Sequence, residues 1–94
     1  MHSKIRLLNS KMEDNIYLLQ KNRTELRNEL NHYQDRKNLY ERMVDMMANF
    51  NVRNSQERFL LSDLHKLINF FEAKIDVIQI KLKNVDSILE DYMH

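Results

Sequence analysis

The residues able to do chemistry fall into three small groups. Glu29-x-x-His32 and Asp91-x-x-His94 have the spacing that places a carboxylate and an imidazole on one helical face, as in helical bundles that hold two metal ions. Such a centre needs two copies of the pair and two more inward-facing Glu residues. Glu29 and His32 instead fall outside the apolar seam identified below, so solvated polar side chains are expected, with no metal and no cofactor. Ser62, Asp63 and His65 carry the residue types of a nucleophilic triad. Acyl transfer also requires a sharp turn to present the nucleophile and an oxyanion hole, and a helix interior supplies neither. No catalytic residue is expected, and His65 is expected to pair with Glu41 along a helix edge. Asn22-Arg23-Thr24 is a glycosylation sequon, meaningful only in a secreted chain.

The elements that would position these residues are helices. The 94 residues contain no Gly, no Pro and no Cys. Tight turns and phosphate-cradling loops depend on the positive φ that Gly supplies, so long helices are the natural alternative. Charged residues make up 31% of the chain and balance to +1, which gives no strong attraction to nucleic acid or to an acidic membrane. No basic block precedes the repeats described next, so a zipper-type DNA reader is disfavoured. A small nucleic-acid-associated regulator is the third-ranked function. No apolar run reaches the length of a membrane span. The apolar run near the start is too short for a secretory signal, so cytoplasm or nucleus is expected.

Two segments repeat every seven residues. In the first, position d holds Ile5, Met12, Leu19, Leu26, Tyr33, Tyr40 and Met47, while position a alternates apolar and polar: Asn9, Ile16, Arg23, Leu30, Lys37, Val44. In the second, a holds Leu61, Ile68, Ile75, Leu82 and Leu89, and d holds Leu64, Phe71, Ile78, Val85 and Tyr92; all ten are apolar. A sustained a/d pattern of this kind marks a coiled-coil seam. Between the segments, Asn51, Asn54 and Ser55 compete for backbone groups, and Ser55 or Asn54 suits an N-cap. The expected layout is one helical domain over 1–94, with helix 1 at about 3–50, a turn at about 51–54 and helix 2 at about 55–93. The alternative is one unbroken helix, since neither Pro nor Gly stands at the break.

Folding the chain antiparallel, so that facing residue numbers sum to 108, gives every seam residue of helix 2 a partner and centres the fold on Asn54. The expected core seam is Leu61, Leu64, Ile68, Phe71, Ile75, Ile78, Leu82, Val85 and Leu89. Two layers are mixed, Lys37 against Phe71 and Arg23 against Val85. Either the long stems cover apolar surface while their charges reach water, or the cations meet carboxylates of a facing helix and fix its register.

Helix 2 carries a second apolar stripe, including Phe59, Phe70, Val77 and Ile80, and Met43, Met46 and Phe50 cluster before the turn. A helix apolar on two faces is usually central in a bundle, so these seven residues form the expected partner interface. The expected fold is therefore all-α: two long helices in an antiparallel coiled-coil hairpin that dimerises into a four-helix bundle. The expected role is that of a non-enzymatic structural or adaptor protein, acting through homodimerisation and through helix packing on a protein partner. A chaperone or inhibitor that holds an amphipathic helix of a client is the second-ranked role.

Overall fold

In the computed structural model, the backbone is described for residues 2–49 and 55–93, and side chains for residues 11–49 and 56–92. All of this backbone is α-helical: α1 runs His2–Asn49 and α2 runs Ser55–Met93. The sequence explains the length of both helices, since no position holds a residue that breaks a helix outright. Glu57 stands in the first turn of α2, where a carboxylate meets the positive end of the helix dipole. The expected turn at 51–54 and the expected interface residue Phe50 lie outside the described residues.

The two helices pack against each other as a hairpin. Its extents are 78 × 19 × 14 Å, whereas one straight helix of the whole chain would reach about 140 Å. The ion pairs give direction and register. Arg23 meets Asp86 and Lys37 meets Glu72. An advance of 14 residues along α1 matches a retreat of 14 along α2, so the helices run antiparallel, and the residue numbers of each pair sum to 109.

The core is a single row of layers. Leu64, Ile68, Ile75, Ile78, Val85 and Leu89 of α2 are buried, as is Leu26 of α1. Leu61, Phe71 and Leu82 of the same α2 seam are half-buried. Leu26 packs with Ile78, Val85 and Leu89, and Ile16, Leu19, Leu30, Tyr33 and Leu82 pack around them. The asymmetry between the helices follows from their side chains. The α2 seam is built mainly from Leu, Ile and Val, while α1 covers it partly with Tyr33, Tyr40 and the long stems of Lys37 and Arg23.

Midway along, Phe71 lies between two tyrosines one heptad apart. Its ring centroid is 5.8 Å from that of Tyr33 and 5.7 Å from that of Tyr40, the latter pair stacked within 10°. Phe70 meets Phe71 edge-on at 5.5 Å. Lys37 sits between the two tyrosines in sequence and pairs with Glu72.

Candidate interaction surface

Around a heptad helix the positions follow the order a, e, b, f, c, g, d. This order divides α2 into distinct faces. Every e and b position from Ser62 to Glu90 is polar. The f, c and g positions, which adjoin one another, hold Phe59, Leu60, Leu67, Phe70, Val77, Ile80 and Ile88, all exposed. Phe59 is 72% exposed, Ile80 61%, Phe70 52% and Val77 49%.

The hairpin therefore has two unlike flanks. In an antiparallel pair, e positions adjoin e positions and g positions adjoin g positions. The e flank is ionic. Arg23 Nη1 lies 3.5 Å from Asp86 Oδ1, and Lys37 Nζ lies 3.3 Å from Glu72 Oε1 and 3.6 Å from Glu41 Oε1. The mixed layers thus follow the second of their two readings. Each head group reaches the residue one step beyond its expected seam partner, Glu72 beyond Phe71 and Asp86 beyond Val85. This step explains why the ion pairs sum to one more than the seam layers. Hydrogen bonding to Glu72 holds the Lys37 ammonium above the ordinary lysine pKa; partial burial opposes this, and the charges of Glu41 and Glu72 add to it. Glu41 is engaged by Lys37, and no His65–Glu41 ion pair forms. That expected pair is displaced because Lys37 lies one helical turn before Glu41.

The g flank is apolar at both ends. Near the connection, Met43 of α1 shares this flank with Leu60 and Leu67 of α2, and exposed Leu39 and Met46 adjoin it at c positions. At the far end, Asn15, Leu18, Leu19, Asn22, Ile88 and Tyr92 line an open groove of about 390 Å³. Between the two stand charged g residues: Glu29 and Arg36 on α1, Lys74 and Lys81 on α2. Sequence reading alone does not single out Ile88 and the far groove. The signal is the g position of Ile88, next to the face that holds Phe70 and Val77.

The candidate chemical residues do not converge. Ser62, Asp63 and His65 are all exposed. Asp63 and His65, two residues apart, point about 200° apart around the helix. Glu29 and His32 are exposed, and no cluster of three metal-capable side chains occurs among the described residues. His94 lies outside them. No family model matches the chain, and no curated protein or solved structure matches it either. The function must be argued from the surface itself. Among the described residues, no helix is long and apolar enough to cross a membrane.

The surface is large for the chain. The hairpin exposes 7838 Å², whereas a compact fold of its 11.5 kDa mass would expose roughly 5,800 Å². The excess is roughly 2,000 Å², more than the ~800 Å² per partner that a standard protein–protein interface covers.

Proposed function

We propose that this chain is a non-enzymatic coiled-coil structural or adaptor protein. It self-associates through its second apolar face, two hairpins forming a four-helix bundle, and docks to helices of a larger assembly. The observation that carries this reading is the exposed row of Phe59, Phe70, Val77 and Ile80 on a helix whose other apolar face is already occupied by α1. Single exposed apolar residues are ordinary, but several sharing one face of a helix mark a contact site.

The test is sedimentation equilibrium over a range of concentrations, with circular dichroism as a control. Changing Phe70 and Val77 together to Ser leaves the hairpin seam intact, so helix content persists while association weakens. Association unchanged by this double substitution removes the stripe from the self-contact and leaves only docking to a different protein. Capture of a stoichiometric complex from the source cells supports the adaptor role.

A second reading, a chaperone or inhibitor for an amphipathic client helix, is favoured by one observation. Met43 and Met46 are exposed beside the apolar face, and flexible thioethers adapt to varied partners. A chaperone would bind one client and release it, whereas an adaptor stays in its complex.

A further inference from the structure

The exposed face of α2 contains a second seam. Its g and c positions run Leu60, Asp63, Leu67, Phe70, Lys74, Val77, Lys81 and so on, alternating steps of three and four residues as the a and d positions do. Unlike the first seam, it is interrupted by charges, and the order of the charges is informative. Asp63 and Lys74 are both exposed and neither has an ion-pair partner among the described residues. Lys74 rests instead over the Phe70 ring, its Nζ 5.4 Å from the centroid.

In antiparallel packing of two such seams, a g residue faces a c residue. When α2 meets α2 of a second copy so that facing numbers sum to 137, Leu60 faces Val77, Leu67 faces Phe70 and Asp63 faces Lys74. Each pair occurs twice by symmetry. Apolar residues meet apolar residues, and the two unpaired charges meet each other. The flanking f positions agree, with Phe59 falling beside Ile80 of the other copy. Neighbouring alignments fit less well: a slide of one heptad one way keeps Leu67 against Val77 and Asp63 against Lys81 but sets Phe70 against Lys74 and Leu60 against Asn84, and the other way sets Asp63 against Leu67.

We infer that this chain forms an antiparallel homodimer through the c/g seam of α2, centred between Leu67 and Phe70 and keyed by reciprocal Asp63–Lys74 ion pairs. The inference rests on the self-association proposed above and specifies its register. The geometry suits a four-helix bundle. On a heptad wheel, positions are about 51° apart, which puts the middle of the c/g seam about 100° from that of the a/d seam, near the right angle of a square array. Surface area permits it as well, since the hairpin exposes more than a standard interface needs to cover. Like-signed charges are kept out of contact while the self-complementary patch is used twice, as a two-fold interface requires.

The test is charge exchange followed by sedimentation equilibrium. Asp63→Lys alone and Lys74→Asp alone each set like charges against each other twice in a homodimer, and each should weaken dimerisation by about tenfold or more. The double variant Asp63→Lys/Lys74→Asp should regain wild-type association. An equimolar mixture of the two single variants should form a heterodimer tighter than either homodimer, a result that a change in hairpin stability would not produce. Small-angle scattering supplies an independent reading. The register offsets the copies, so the dimer should span about 110 Å, against 78 Å for one hairpin. Single variants that associate like the wild type, or a mixture no tighter than its components, overturn the register. If the Phe70/Val77 double substitution still abolishes association, self-contact through this face stands and only its alignment is wrong. A wild-type chain that stays monomeric at every concentration overturns the homodimer and leaves docking to another protein.

Discussion

The ring of Tyr40 stacks on that of Phe71, centroids 5.7 Å apart and planes within 10° of parallel. Tyr33 closes the other side at 5.8 Å, so Phe71 is held by α1 from two directions although it is only half-buried. Phe71→Ala should destabilise the hairpin by about 2–3 kcal/mol, less than for a fully buried ring. Tyr40→Leu, which keeps an apolar side chain there but loses the stacking, should cost about 1 kcal/mol. Urea unfolding of both variants checks the order. A Tyr40→Leu variant as stable as the wild type would mean that ring stacking adds nothing beyond burial.

Ile78 is 4% exposed and packs with Leu26, Val85 and Leu89. Ile78→Asp puts a carboxylate in that apolar layer. The expected penalty is about 4 kcal/mol or more, a large fraction of the stability of any small domain. Circular dichroism should show loss of most helix at ambient temperature. A folded, unchanged variant would place the seam elsewhere.

Lys37 should make stability sensitive to alkali. Its folded-state pKa is raised, first by the hydrogen bond to Glu72. A raised lysine pKa means that the folded state holds the proton more tightly than the unfolded chain. The resulting stabilisation is fully present below the unfolded lysine pKa and is lost as pH rises through the folded one. The melting temperature of the wild type relative to Lys37→Met should therefore fall as pH climbs through the lysine range. A difference constant across that range would mean that the Glu72 contact does not hold the proton.

Arg23 and Asp86 meet at 3.5 Å with side chains 31% and 50% exposed. A double-mutant cycle on Arg23→Met and Asp86→Asn should give a coupling of about 0.5 kcal/mol, the scale of solvent-exposed pairs. Moderate salt should shrink it further. A coupling several times larger would show that the pair is shielded from solvent, for instance by a second copy.

Much of the hairpin can be read from residue types alone, because its signal is repeated. Ten apolar a and d positions on α2 and the unbroken d row of α1 specify two facing seams. The seam alignment deduced from them differs by a single residue from the 109 of the ion pairs. The fate of Arg23 and Lys37 is not legible in that way. Whether a cation crossing an apolar layer turns to water or to a carboxylate depends on which flank it leaves by, and only the packed helices fix that. The same holds for His65, whose expected partner Glu41 is claimed by a lysine four residues earlier in its own helix. The apolar face of α2 is visible as composition, but its extension to Ile88 and the groove beside Leu18 emerge only once both helices share a flank.

The two cross-helix ion pairs have a consequence out of proportion to their strength. Sliding α2 by one heptad along α1 would keep most of the oily layers filled. It would carry Lys37 from Glu72 to Gln79 or His65, and Arg23 from Asp86 to Met93 or Gln79. None of these three residues carries a carboxylate. Both slipped hairpins would retain most of the apolar burial of the native one and would part both cations from their cross-helix carboxylates. The oily layers thus favour a family of near-equivalent alignments, and two weak contacts spaced two heptads apart act as a vernier that selects one of them. Replacing Glu72 and Asp86 together should leave the chain helical and compact but no longer confined to one setting.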